Sequence, residues 1–140
     1  GEGTIINTSS MTARAALTNV PGYSNAKAAV SNLTRWLAVQ VRVDFPDADI
    51  RVNEIAPGFL DTEQNHDLLF EPDDETLTER GESIISHTPL DRFGDPEELL
   101  GPILMLLSRA GSFLQGVTLC IDGGFDAYSG VGPLDEKEQD

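Results

Sequence analysis

The segment Pro21-Gly22-Tyr23-Ser24-Asn25-Ala26-Lys27 begins the longest periodic stretch of this chain. Apolar residues then recur at steps of three and four, which predicts one helix from Tyr23 to Asp44. On that helix Tyr23 and Lys27 lie one turn apart on the same face. A nearby ammonium favours the ionised form of a phenol, so the pair is a candidate general acid/base. The alternative is two side chains that merely share a helix surface.

Three β-rich runs are predicted to be strands: Thr4–Thr8, Ile50–Ala56 and Gly116–Ile121. The helix between the first two predicts parallel, buried strands in a right-handed βαβ unit. Asp95-Pro96-Glu97-Glu98 is typical of a helix start, and apolar residues continue this second helix to Leu107. The chain is therefore predicted to be α/β.

Polar and turn-forming residues follow the predicted strands. Ser10 lies thirteen residues before Tyr23 and just after the first strand, with Ser9 beside it as a weaker candidate. Pro57-Gly58 turns the chain after the second strand. Open α/β sheets bind ligands at the carboxyl ends of their strands, so we expect Ser10 near Tyr23 in such a site. An ordinary strand-ending turn is the alternative for Ser10.

These features occur together in one known family. From Thr4 to Gly124 the chain resembles the short-chain dehydrogenase/reductase family, in Ser10, Tyr23, Lys27, Arg51-Val52-Asn53-Glu54-Ile55-Ala56-Pro57-Gly58 and Ile121-Asp122-Gly123-Gly124. Three more stretches are most similar to its sugar-acid branch, the D-mannonate oxidoreductases or fructuronate reductases: Asn65–Gly81, His87–Gly101 and Asp126–Gly130.

The resemblance implies the C-terminal half of a doubly wound, Rossmann-like parallel sheet, with three strands and crossover helices over residues 1–130 and an acidic tail over 131–140. It also implies an oxidoreductase that uses NAD or NADP to interconvert an alcohol and a carbonyl, with a mannonate- or fructuronate-type sugar acid as the substrate. The family's glycine-rich pyrophosphate loop and catalytic asparagine have no counterpart here, so we expect a piece of a larger enzyme or a truncated gene product, inactive alone. A non-catalytic fragment that acts only as an oligomerisation domain is the alternative.

The resemblance assigns roles to residues of this sequence. Tyr23 is the general acid/base, Lys27 activates it and holds the nicotinamide ribose, and Ser10 hydrogen-bonds the substrate oxygen. The nicotinamide is walled by the loop that holds Pro57, Gly58 and Thr62. Thr62 would bind its carboxamide, although a threonine that caps the next helix is the alternative.

The acidic segment Glu63–Gly81 is predicted to be a mobile substrate lid. Its substrate-facing candidates are Gln64 and Asn65, and then His66. Arg80 is alone among acids and is expected to pair with them. Outside the lid, we expect residues 11–20 to be a loop over the site, Arg14 to be a solvated surface residue and His87 to be structural.

The charge of the chain restricts its partners. It has 24 acidic and 9 basic residues, a net charge of −15, and lysines only at positions 27 and 137. Phosphate and anionic lipid surfaces would repel it, so we expect neither nucleic acid nor a membrane as a partner. Broad acidity with little lysine favours adaptation to high salt over a moderately acidic mesophile.

The remaining expectations concern location and assembly. Cys120 is the only cysteine and lies in an apolar run, so we expect it buried in a protein without internal disulfides, in the cytoplasm. No Cys/His cluster at metal-ligand spacing occurs, so no metal is expected. The resemblance implies a homo-oligomer formed through the helices Tyr23–Asp44 and Pro96–Leu107. Trp36 would lie in that interface, with ordinary core packing as the alternative.

Overall fold

The fold is a parallel sheet with helices packed around it. A computed structural model of the chain describes residues 1–73, 76–132 and 134. Within them, three strands lie in the order β1-β2-β3, and both strand pairs are parallel. The strands are β1 (Glu2–Thr8), β2 (Asp49–Pro57) and β3 (Thr118–Ile121). The predicted α/β architecture is confirmed. Seven of the ten residues of the tail predicted at 131–140 lie outside the described residues, and the domain boundary at residue 130 stays a prediction.

One long helix, α1 (Pro21–Asp44), connects β1 to β2. It begins two residues before the predicted Tyr23, at a proline whose missing N–H is not needed in the first turn. Its inner face carries Ala38 and Val41, which pack with Val52 of β2. These three side chains are at most 6% exposed, so apolar burial holds the helix across the sheet.

The strand register brings the carboxyl ends of the strands to one edge. Thr8 pairs with Ile55 at the end of β1, and Pro57 pairs with Ile121 at the end of β3. The Gly58 N–H donates to the Ile121 carbonyl at 2.9 Å, which continues the hydrogen-bond ladder one residue beyond β2. The segments that follow β1 and β2 therefore leave the sheet side by side.

The segment after β1 is only partly the loop that we predicted. Met11–Ala13 forms a 3-10 helix, and the Ser10 side chain caps it by accepting a hydrogen bond from the Thr12 N–H at 3.2 Å. Met11 is 1% exposed and packs in a second apolar cluster with Leu69 and other buried residues. Tertiary burial of this methionine, which has no periodic neighbours in the sequence, orders the segment.

The acidic segment after β2 folds into two short helices, α2 (His66–Leu69) and α3 (Glu79–Ser86). Thr78 caps α3 by accepting from the Gly81 N–H at 3.0 Å, and its own hydroxyl donates to the Leu68 carbonyl at 2.8 Å. A Cβ at Gly81 would stand 2.4 Å from the Leu69 carbonyl oxygen, so only glycine allows this close packing. The start of α3 is thus fixed against the end of α2.

The helix predicted at Asp95 has the expected start. Asp95 and Glu98 form a capping box, but the first turn, Pro96–Leu99, is a 3-10 helix that leads into α4 (Leu100–Leu107). The guanidinium of Arg92 lies 2.6 Å from the Glu98 carboxylate. Hydrogen bonding from Arg92, together with the Asp95 N–H, lowers the pKa of Glu98 to about 2.

The prediction of a buried Cys120 is wrong, because its side chain is exposed. The sulfur faces Arg14, whose guanidinium lies 3.5 Å away, and the Asp126 carboxylate lies 4.0 Å away. β3 pairs only with β2 among the described strands, and these polar groups take the place of an apolar layer over it. Partial burial still raises the pKa of the Cys120 thiol. β3 also begins two residues later than predicted, after Gly116, which has a positive φ of 70°.

Large apolar side chains remain exposed on two helices. Trp36 of α1 is 57% exposed, so the alternative of ordinary core packing does not hold for it. Leu104 of α4 is 62% exposed. Leu33, Val43, Leu100 and Leu107 are also at least half exposed. None of the described helices combines the length and apolarity needed to cross a membrane.

Candidate functional site

Four of the predicted site residues line one cavity of about 160 Å³ at the carboxyl edge of the sheet: Ser10, Tyr23, Gly58 and Asn65. They come from three different segments, which the strand register brings together. Ser10 is 7% exposed, and its oxygen accepts the Thr12 N–H. The hydroxyl hydrogen of Ser10 remains available to a group in the cavity.

Tyr23 lies in the first turn of α1, where its side chain is about half exposed. No hydrogen bond of the Tyr23 hydroxyl is found within the described parts of the chain. The Lys27 ammonium lies 5.6 Å from the centre of the tyrosine ring and donates to the Thr8 carbonyl at 3.0 Å. An ammonium has three N–H donors, so two remain for other acceptors. The arrangement offers a phenol proton beside a positive charge at the mouth of a cavity.

Ser9 has a structural role between β1 and α1. Its hydroxyl lies 3.1 Å from the Lys27 carbonyl oxygen, to which it donates, and 2.8 Å from the Ser31 hydroxyl. Ser9 and Ser31 are both buried. These contacts tie the end of β1 to α1 and thereby hold the backbone of Lys27 in place.

The loop after β2 is packed against the turn after β3. A Cβ on Gly58 would stand 2.6 Å from the Asp122 Cα, so glycine is required at this position. Further along the loop, the Thr62 hydroxyl accepts a hydrogen bond from the Asn65 N–H at 3.3 Å. This contact closes a turn before α2 and does not cap that helix, whose N-cap residue is Asn65 without a side-chain cap. Thr62 does not line the cavity that holds Ser10 and Tyr23.

The lid candidates are not brought together. Asn65 lines the cavity and donates to the Leu60 carbonyl at 3.3 Å, whereas Gln64 is exposed and does not line it. Gln64 and Asn65 are neighbours in a turn, where no regular sequence period indicates which side chain faces the cavity. The His66 ring lies 3.1 Å from the Asp61 carboxylate and stacks on Phe70.

Two polar residues of the cavity were missed by sequence reasoning. The Thr12 hydroxyl is buried and has no hydrogen-bond partner among residues 1–73, 76–132 and 134. Arg80 lines the same cavity and also borders a neighbouring open cleft. No local sequence pattern places either residue in the cavity, because both reach it through tertiary packing of distant segments.

Two other polar candidates lie outside this cavity. Arg14 forms an ion pair with Asp126 at 3.2 Å. The His87 ring packs on Phe125 and Tyr128, with ring centres 4.6 Å and 4.8 Å apart, in line with the structural role that we predicted. In the described part of the chain, no three His, Cys, Asp or Glu side chains are grouped so that they could hold a metal ion.

A family model described as enoyl-(acyl carrier protein) reductase matches residues 1–126, nearly the whole described chain. The chain belongs to the short-chain dehydrogenase/reductase family. The resemblance that the motifs indicated is thereby confirmed. The structures of relatives in this family have the Rossmann-like fold that the sequence predicted.

Three relatives place the chain within this family. It is 52% identical over 128 residues to the uncharacterized oxidoreductase UxuB of Bacillus subtilis, covering 91% of this chain and 44% of that protein. A Haemophilus influenzae structure with bound NAD, provisionally named a D-mannonate oxidoreductase, is 50% identical with a TM-score of 0.81 and covers 91% and 44%. A gluconate 5-dehydrogenase from Burkholderia cenocepacia, in complex with NADP and tartrate, is 31% identical with a TM-score of 0.75 and covers 90% and 46%. The chain thus spans less than half the length of each relative.

Proposed function

We propose that this chain carries the catalytic residues of an oxidoreductase that uses NAD or NADP to interconvert an alcohol and a carbonyl. The observation that carries the proposal is the placement of Ser10 and Tyr23 in one cavity, with Lys27 one turn further along α1. Tyr23 exchanges the proton of the substrate oxygen, and Ser10 donates a hydrogen bond to that oxygen as charge develops on it. Lys27 stabilises the phenolate of Tyr23 by its charge.

The residues at the sheet edge fit the nicotinamide end of such a cofactor. Lys27 has two spare donors for the hydroxyl groups of a ribose. Thr62 accepts through its oxygen and keeps its own hydrogen to donate to a carboxamide. Pro57 and Gly58 supply the adjoining wall. When bound, the nicotinamide supplies or accepts the hydride.

We further propose that the substrate is a sugar acid. Two of the relatives described above are named for mannonate and gluconate, and one of them was crystallised with tartrate, a dicarboxylate. Among the described residues, none that line the cavity with Ser10 and Tyr23 is acidic, which supports an anionic substrate in a chain of net charge −15.

The substrate proposal is tested by an assay of the protein at its natural length. D-Mannonate and D-gluconate are offered with NAD or NADP, and the absorbance of the reduced nicotinamide is followed. We expect turnover of at least one acid and dependence on the cofactor. Turnover restricted to neutral alcohols would refute the sugar-acid proposal, and no dependence on either nucleotide would refute the oxidoreductase proposal.

We also propose a homo-oligomer formed through α1 and α4. The exposed apolar side chains of both helices, Trp36 and Leu104 among them, support it, because exposed patches of this kind often mark protein–protein contacts. The same surface would also suit a non-catalytic interaction domain. Enzymatic activity that depends on Tyr23 would rule out this alternative.

Adaptation to high salt is a further proposal, supported by the net charge of −15 and the two lysines. Salt screens the repulsion between like charges, so we expect the protein to melt at a higher temperature in molar KCl than at low salt. A gain of about 1 kcal/mol corresponds to roughly 4 °C for a chain of this size. Thermal melts monitored by circular dichroism measure the change, and a midpoint that stays constant or falls contradicts the proposal.

A further inference from the structure

Arg80 is the only cationic side chain among the described residues that line the cavity with Ser10 and Tyr23. The rest of that lining is apolar or uncharged, with Phe59 and Leu68 among its walls. Within the described lining, an anion that enters therefore meets one positive charge and no carboxylate. The Arg80 side chain is exposed, so a ligand that enters from solvent can reach its charge.

The guanidinium of Arg80 has no ion-pair or hydrogen-bond partner within residues 1–73, 76–132 and 134. Other cations have partners: Arg14 pairs with Asp126 at 3.2 Å, and Arg92 pairs with Glu98 at 2.6 Å. We had expected Arg80 to pair with the acids of its own segment, and the described structure shows no such pair. In a chain with 24 acidic residues, an unpaired arginine in a cavity is available to a ligand.

The backbone of Arg80 is held firmly at this place. The preceding cap at Thr78 bonds to the carbonyl of Leu68, and the following Gly81 packs against the carbonyl of Leu69. The Arg80 side chain therefore extends from a fixed point of the backbone in the first turn of α3.

We infer that Arg80 binds the carboxylate of the substrate and so sets the preference of the site for a sugar acid over the neutral sugar alcohol. The inference rests on the proposed function. The planar guanidinium matches a carboxylate in a two-point hydrogen bond. A substrate that presents its reacting carbon to Ser10 and Tyr23 lies in the same cavity as Arg80. The neighbouring cleft also contains Glu79, whose charge disfavours the opposite placement of the carboxylate.

The test compares steady-state kinetics of the wild type and of Arg80→Gln at the natural length of the protein. The acids are D-mannonate and D-gluconate, and the neutral comparison is D-mannitol. We expect Arg80→Gln to raise KM for the acid about ten- to one-hundredfold, the effect of a lost charge-assisted contact, with kcat changed much less. Its kcat/KM for D-mannitol should stay at the wild-type value. Arg80→Lys keeps the charge but not the planar fork, so it should restore part of the affinity.

Arg109→Gln is the matched control, because it removes one exposed arginine from the segment before β3, away from the carboxyl edge of the sheet. It should leave all constants unchanged. If Arg80→Gln keeps a KM for the acid within about twofold of wild type, the inference is overturned and the proposed function stays intact. The same holds if kcat/KM for D-mannitol falls as much as kcat/KM for the acid. Wild-type protein that turns over neither acid contradicts the sugar-acid proposal, and the inference with it. If the wild type has no measurable activity on D-mannitol, the acid preference is as expected and the KM of Arg80→Gln decides.

Discussion

Replacement of Tyr23 by phenylalanine should lower turnover by a factor on the order of 10²–10⁴, the usual contribution of a general acid/base. The substitution keeps the ring in the first turn of α1 and removes only the hydroxyl, which has no hydrogen-bond partner in the described part of the chain. The expected loss therefore comes from chemistry and not from folding. The measurement is kcat with the best sugar acid and its cofactor, in the protein at its natural length.

The controls for this variant are cofactor affinity and the thermal unfolding midpoint. Both should stay close to wild type, because the proposed ribose contact belongs to Lys27 and the hydroxyl of the half-exposed Tyr23 has no hydrogen-bond partner among the described residues. Near-wild-type turnover by Tyr23→Phe would show that the Tyr23/Lys27 pair is only two side chains on a helix surface. The oxidoreductase proposal for this cavity would then fail.

The strands and the long helix could be predicted because their signals are local. A period of three to four residues predicted helix α1 to within two residues at its start, and branched apolar runs predicted β1 and β2 with similar accuracy. The parallel pairing followed from the long connection between the strands, since a hairpin turn cannot join parallel neighbours. The position of Ser10 near Tyr23 then followed from where the strands end.

The rest depended on contacts between distant segments. Cys120 lies in an apolar run but faces Arg14 and Asp126. No local sequence pattern around Cys120 indicates these two contacts. Met11 orders a segment that has no period of its own. Arg80 reaches the cavity only because Gly81 allows α3 to pack on the end of α2. Composition predicted an acidic lid here, yet the chemically informative residue is its one arginine.

Lys27→Met should impair both turnover and cofactor binding, in contrast to Tyr23→Phe. Loss of the ammonium removes the positive charge beside the phenol, so turnover should fall, by less than the factor of about 10²–10⁴ expected when the acid/base itself is removed. Loss of its hydrogen bonds to the ribose should weaken cofactor binding about tenfold or more. Turnover is measured at saturating cofactor, so that the two effects separate, and the cofactor dissociation constant is measured by calorimetry.

Two further variants decide whether these losses belong to Lys27 itself. Arg35→Met removes an exposed positive charge from the same helix, two turns further along, and should change neither constant. The Lys27 ammonium also donates to the Thr8 carbonyl, so a lower unfolding midpoint in Lys27→Met would indicate a structural share. Lys27→Arg keeps a donor to that carbonyl and the charge, and should recover part of the turnover. A Lys27→Met protein that loses stability but binds cofactor as tightly as wild type would make Lys27 a structural tie between β1 and α1, and the ribose contact would have to come from another residue.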